Sequence, residues 1–374
     1  MNSIQQPSLH PRLDRRGIAS FCLIAAMFAS AARAGDLNPP AGPVQETGKT
    51  LREIEPRTAL SADNTPGDSG ALYIITTSGS YYLTGNISAG GRYAIEVAPS
   101  AGDVTIDLNG FTITLVPSVT PVHTATGIFA NDSPNRTLTV RNGVIRAQIA
   151  FTNVAVAVEG GANTVIEDVR VHGTARGIVA PDHTTIRRCD VSQVLSNVDD
   201  AAGIQTGLYS TVEGCRVRGV NTTGTTAHIR VGAHSIVRDC QVLSTEPCEI
   251  GIDAGSGSMV ERNLIRNDDS VLAFTAISCP SGAMTARENT MSSLNAGTST
   301  GISCGGASTI QDNVFSGFDL GVNISVNSDC LITRNHFRGG TTINSNFPAS
   351  NIIGPIINAG GAAASDNPHA NYSN

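Results

Sequence analysis

Ile310-Gln311-Asp312-Asn313-Val314-Phe315 is one copy of a phrase that returns along the whole chain; other clear copies are Ile186-Arg187-Arg188-Cys189-Asp190-Val191 and Ile332-Thr333-Arg334-Asn335-His336-Phe337. Each copy runs apolar, two polar residues, a small turn residue, one further residue, and apolar again. The turn residues are Asn109, Gly143, Val169, Cys189, Cys215, Cys240, Asn263, Asn289, Asn313 and Asn335. After a first step of about 34 they recur every ~20 to 26 residues, and a sustained period of that size marks a solenoid, whose repeats bury their apolar faces only against their neighbours.

Two further columns flank the phrase. A first strand opens with Gly or Ala before Ile or Val, as in Gly127-Ile128, Gly177-Ile178, Gly203-Ile204, Gly251-Ile252, Ala276-Ile277, Gly301-Ile302 and Gly321-Val322. A second strand carries Ile106, Val140, Ile166, Ile186, Val212, Val237, Val260, Ala286, Ile310 and Ile332. After the turn a third short strand carries Phe111, Ile145, Val171, Val191, Val217, Val242, Ile265, Met291, Phe315 and Phe337. Period-2 alternation turns these residues inward and their neighbours outward. The expectation is one all-β parallel coil of about ten or more rungs over residues 72–354, roughly 45 to 50 Å long at ~4.8 Å per rung.

Composition agrees with a thin core. Tryptophan is absent and aromatic residues make up 4% of the 374, so Val, Ile and Ala must fill the interior. A formal charge of −7 leaves no basic field for nucleic acid. Lys49 is the sole lysine, which removes lysine bases and Schiff-base chemistry everywhere else.

Residues 1–34 read as an export signal: Arg12, Arg15 and Arg16 precede an apolar run from Gly17 to Phe28, and Ala32-Arg33-Ala34 is a small-x-small cleavage site. The run is shorter than the ~18 to 20 residues of a spanning helix, so no membrane insertion is expected after the signal is removed. This places the mature protein outside the cytoplasm: secreted, periplasmic or on the cell surface. Residues 35–71 read as a linker and N-terminal cap, with capping-box spacing from Thr50 to Glu53, and 355–374 as a flexible tail. Of eight cysteines Cys22 leaves with the signal, and the remaining seven cannot all pair. Cys189, Cys215 and Cys240 are expected as buried thiols in the turn column, and Cys279 to Cys304 as the one disulfide that rung spacing allows.

From about Leu72 to Gly354 the sequence resembles the right-handed parallel β-helix proteins of the pectate-lyase-like superfamily. The likeness rests on the three-strand rung, the Gly-Ile opening and the asparagines at 263, 289, 313 and 335. It is also similar to secreted bacterial β-helix proteins, in Tyr81-Tyr82-Leu83-Thr84-Gly85-Asn86 and in the Asn371-Tyr372-Ser373 ending. The resemblance implies that the turn asparagines take a left-handed conformation and bond to their copies above and below. It also implies a polysaccharide ligand lying along stacked strands.

Catalytic signatures of that superfamily are not reproduced. Polygalacturonase-type hydrolases carry an Asn-Thr-Asp segment, an Asp-Asp pair and a Gly-His-Gly segment, of which only Asp199-Asp200 is matched. Arg230 with Asp253 only loosely resembles the arginine base and acidic Ca²⁺ cluster of pectate lyases. Ala180-Pro181-Asp182-His183 holds the residue types of the epimerase Asp-Pro-His-Asp segment in another order.

Charges two residues before each turn position alternate without a break: Asp107, Arg141, Glu167, Arg187, Glu213, Arg238, Glu261, Arg287. Opposite charges one rung apart attract, so this row reads as a register-fixing stack and not as a site. The candidate carbohydrate-binding residues lie on the outward side of the first strand and its loops: Arg230 and Asp253, walled by Asp199, Asp200, Asp268 and Asp269. Such carboxylates bind sugar hydroxyls, supply the oxygen ligands of Ca²⁺, or act as an acid and base pair; solvated acidic loops have the same composition. A second cluster is His172, Asp182 and His183, and no dedicated metal site is expected. The leading function is an exported protein associating with extracellular polysaccharide. The alternatives are an atypical lyase, hydrolase or epimerase, and a structural surface or adhesion protein.

Overall fold

The computed structural model describes residues 55–116, 125–130, 136–148, 155–196, 201–222, 226–269, 273–280, 282–294, 299–324, 329–339, 351–358 and 367–373. The expected export signal, the capping box at Thr50 and the Asp199-Asp200 pair lie outside the described residues.

Each rung contributes short strands that pair in parallel with the rungs before and after. The first strands stack into an 11-stranded sheet from Ala71–Ile75 to Leu320–Ile324. Second and third strands share a 24-stranded sheet, because strands such as Leu138–Ala147 and Thr164–His172 run through the turn between them. The coil is right-handed, the sense taken by nearly all parallel crossover connections. Among the described residues no helix is long and apolar enough to cross a membrane.

The inward columns hold in register. Val212 pairs with Ile186 and Val237, Ile310 with Ala286 and Ile332, and Phe315 with Met291 and Phe337, all buried. The Phe315 and Phe337 rings stack at 4.7 Å. The glycine before each first-strand isoleucine has a steric cause. A Cβ on Gly301 would lie 2.4 Å from the Phe315 ring and 2.5 Å from the Gly321 carbonyl oxygen. The interior is so narrow that the third strand occupies the space a side chain would need.

The turn column is a hydrogen-bonded stack. Asn263, Asn289 and Asn313 each donate from Nδ2 to the next asparagine's Oδ1 at 3.0 Å, and Asn335 does so to Asn371 at 3.2 Å. Cys189, Cys215 and Cys240 fill the same column as thiols, each directed at backbone carbonyls, as with Cys215 Sγ to the Glu213 oxygen at 3.4 Å. The expected left-handed conformation belongs to the residue before the stack. Arg188, Asp239, Arg262, Glu288, Asp312 and Arg334 have φ of 53° to 58°. The stacked side chain must point inward to reach its copies, so the outward charged residue absorbs the bend. Its ion pairs help offset a left-handed penalty of roughly 1–2 kcal/mol: Asp168–Arg188 at 2.7 Å, Asp239–Arg262 at 2.9 Å and Asp312–Arg334 at 2.6 Å.

Three expectations are corrected. Asp107 pairs with Arg141 and Ile113 with Ile145, six residues apart on the first rung (113 − 107) against four on the next (145 − 141). The first turn is therefore two residues longer: Ile113, not Phe111, is the inward third-strand residue, and Leu108, not Asn109, packs over Gly143. Cys279 and Cys304 are register partners, yet neither is in a disulfide, and among the described residues the other cysteines are thiols too. Cys279 Sγ is instead directed at the Gly282 carbonyl, 3.4 Å away. Finally, pairing extends past the expected limits of the coil: Thr58–Ala59 pairs with Tyr81–Tyr82. Within the expected tail, Asn371–Ser373 pairs with Ile356–Asn358, and its Tyr372 and Ser373 pair with His336 and Phe337. Asn371 thus supplies the last member of the asparagine stack, with its Oδ1 3.0 Å from the Asn335 amide nitrogen.

Candidate functional site

The coil has three outward faces, and their charges behave differently. On the second-strand face arginine and acid pair rung to rung, as in Arg141–Asp107 at 3.2 Å, Arg238–Glu213 at 3.1 Å and Arg287–Glu261 at 2.7 Å. Glu261 is nearly buried, and its carboxyl sits below the usual range because hydrogen bonds from Arg287 and Arg262 outweigh the opposing effect of burial. These groups are occupied, as the alternating row implies.

The first-strand face carries one outward column in register: Glu96, Phe129, Glu159, Val179, Gln205, Arg230, Asp253, Ser278, Ser303 and Asn323. Arg230 and Asp253 are brought together, with Nε 3.1 Å from Oδ2 and side-chain exposures of 15% and 26%. At the other end the Tyr93 ring stacks on Phe129 at 4.3 Å. The Tyr93 hydroxyl is pushed up by burial and then by the charges of Glu159 and Glu96, so both carboxylates lie close to this aromatic pair. Between the two ends is a groove of about 480 Å³ lined by Phe129, Glu159, Val179, Asp182 and Gln205 among others. Tyr93, Glu96, Phe129 and Glu159 were missed in the sequence. Their signal was present in the sequence: Glu96, Phe129 and Glu159 follow the openings Ala94-Ile95, Gly127-Ile128 and Ala157-Val158, and Tyr93 precedes the first of them.

The remaining candidates separate. Asp268 follows the third strand Leu264–Asn267 and accepts from Arg266 Nε at 2.6 Å, and the Asp269 amide donates to Asn267 Oδ1 at 3.1 Å. The second cluster is divided between two faces. Asp182 and His183 occupy the turn after a first strand, where Asp182 Oδ1 accepts from the Leu208 amide at 2.7 Å. His183 stacks on Tyr209 at 5.4 Å, and Tyr209 stacks on His234 at 5.3 Å. His172 lies on the third strand, with Nδ1 3.1 Å from Ser192 Oγ. Among the described residues no three His, Cys, Asp or Glu side chains form a group that could hold a metal ion. Asp253, the residue expected to offer oxygens to Ca²⁺, faces the Arg230 guanidinium instead.

A family model described as the right handed beta helix region matches residues 154–297. No curated protein matches the chain by sequence. Among solved structures, the native GH136 lacto-N-biosidase from Eubacterium ramulus aligns at a TM-score of 0.44 and 11% identity, over 70% of this chain and 60% of that one. The mannuronan C-5 epimerase AlgE4 A-module from Azotobacter vinelandii aligns at 0.39 and 12%, over 74% of this chain and 91% of that one. The chain thus spans about 60% of the length of the lacto-N-biosidase structure. With these rungs and the match over residues 154–297, the fold is a right-handed parallel β-helix.

Proposed function

We propose that this is an exported protein that binds extracellular polysaccharide along its first-strand face. The observation that carries the reading is one continuous outward column, with a stacked aromatic pair at Tyr93 and Phe129, a groove, and then the Arg230–Asp253 pair. An aromatic face takes the apolar side of a sugar ring. Carboxylates and the guanidinium exchange hydrogen bonds with hydroxyls. From Glu96 to Asp253 the column covers six rung steps, about 29 Å at ~4.8 Å each, so the ligand is a chain and not a single sugar.

Binding of the purified protein to a panel of acidic and neutral polysaccharides tests this. Phe129→Ala and Asp253→Ala should each weaken the best ligand by about tenfold, the loss expected for one good contact. A panel with no ligand, or a best ligand that both variants bind as tightly as the parent, removes the reading. A second reading is hydrolysis: Glu96 and Glu159 flank Phe129 two rungs apart, ~9.6 Å along the backbone, near the carboxylate spacing of inverting glycosidases. New reducing ends that vanish in Glu159→Gln would favour it.

A further inference from the structure

The third-strand face is built differently from the other two. Strands Asp190–Ser196 and Arg216–Thr222 each bend midway at a left-handed residue, Gln193 with φ 52° and Gly219 with φ 59°. Beyond the bend they remain paired through Val194 and Val220, both fully buried. The bend turns an otherwise flat face into a cleft of about 530 Å³. Its floor is the register column His172, Ser192, Arg218, Leu243, and Thr245 and Glu246 line it beyond the third strand.

Several arginines here carry no salt bridge. On the second-strand face arginines are ion-paired, whereas Arg146, Arg170 and Arg216 on this face make no salt bridge among the described residues. Arg218 has only a loose partner, Asp190 Oδ1 at 3.8 Å from its Nε, beyond hydrogen-bonding distance. Its guanidinium therefore keeps its donors for another acceptor. His172 is held by Ser192: Ser192 Oγ donates to the Val171 carbonyl at 3.3 Å, so the ring contact at 3.1 Å uses Nδ1–H. Nε2 makes no hydrogen bond among the described residues.

We propose that this cleft is a second ligand site, which takes a tetrahedral oxyanion ester, phosphate or sulfate, carried on a sugar. Ser192 is short and lies between His172 on the preceding rung and Arg218 on the following one, leaving a notch above it between the imidazole and the guanidinium. A planar carboxylate is matched by one guanidinium fork. Polar groups converging from opposite sides suit instead an anion whose oxygens spread in three dimensions. Glu246 would repel a bare anion, but as an acceptor it suits the hydroxyls of the ring that bears the ester.

Calorimetric titration of the protein with glucose 6-phosphate, glucose 6-sulfate and glucose tests the assignment, and the two esters show which oxyanion is preferred. At least one ester should bind saturably and glucose should not. Arg218→Gln should raise its Kd about tenfold or more, the loss expected for a charge-assisted contact. His172→Gln should also weaken it. Both side chains are exposed, so unchanged circular dichroism is expected. Phe129→Ala should leave ester binding unaltered, which separates this site from the first-strand face. The proposal is overturned if neither ester binds, if Arg218→Gln binds as well as the parent, or if Phe129→Ala abolishes binding. Inorganic phosphate binding as tightly as the preferred ester would overturn the sugar part of the assignment.

Discussion

Replacing Asn313 with alanine tests whether the asparagine stack, and not apolar filling alone, holds the C-terminal rungs together. Asn313 is fully buried. Its Nδ2 lies 2.9 Å from the Ala286 oxygen and 3.0 Å from both the Gln311 oxygen and Asn335 Oδ1. Its Oδ1 accepts from the backbone N–H and the Nδ2 of Asn289, each at 3.0 Å. Alanine deletes all of these. Asn289 Nδ2 keeps the Val260 oxygen at 2.9 Å, and Asn335 Oδ1 keeps the amide of residue 313 at 3.0 Å. The group stranded outright is the Asn289 backbone N–H. An orphaned buried donor costs about 1–3 kcal/mol, and the weakened carbonyls add about 1 more, so the expected loss is about 3 kcal/mol. Cys215→Ala, four rungs away in the same column, removes only weak thiol contacts at 3.4 and 3.7 Å and should cost about 1 kcal/mol. Urea unfolding of both variants gives the comparison, provided the slope is unchanged. Native-state hydrogen exchange should show protection falling at the Asn289 amide. Equal costs for the two variants, or an Asn289 amide still fully protected, would refute the argument.

Other predictions concern thiols, charges and the glycine column. The described cysteines are buried thiols, so a disulfide reagent should find no fast-reacting one among them until the protein unfolds. Burial pushes the Cys304 thiol up to about 12, whereas an unfolded cysteine titrates near ~8.5; its contribution to stability is whole below that value and is lost as pH rises through the folded one. Unfolding midpoints should accordingly drop in alkali, less so in Cys304→Ala. Hydrogen bonds from Arg188, Arg262 and Arg334 hold Asp168, Asp239 and Asp312 below the usual carboxylate range. Their stabilisation is present above the unfolded value of ~3.9 and lost as pH falls through the lower folded values, and Asp312→Asn should show a shallower acid decline. Gly301→Ala, with its Cβ driven against Phe315 and the Gly321 carbonyl, should lower stability by about 1–3 kcal/mol, measured as a shift in the urea midpoint.

The repeat was legible in the sequence because a solenoid is local: each inward residue meets the residue one period away, so the column from Ile106 to Ile332 could be read by spacing alone. The alternating row of acid and arginine was legible for the same reason. Spacing failed where the period changed. Two extra residues in the first turn shifted Phe111 out of the column, and nothing local in Asn109-Gly110-Phe111 marks them as an insertion. It also failed on backbone conformation, since a periodic pattern says which residue points inward but not which neighbour bends to allow it. The site lay further from reach. Whether His172 meets Asp182 depends on which face each strand presents after the turn. The cleft at Ser192 exists only because two adjacent rungs bend together at Gln193 and Gly219. Spacing along one chain determined the coil and its core; concavity and unpaired charge arise between rungs, from loop lengths and bends that only the tertiary structure decided.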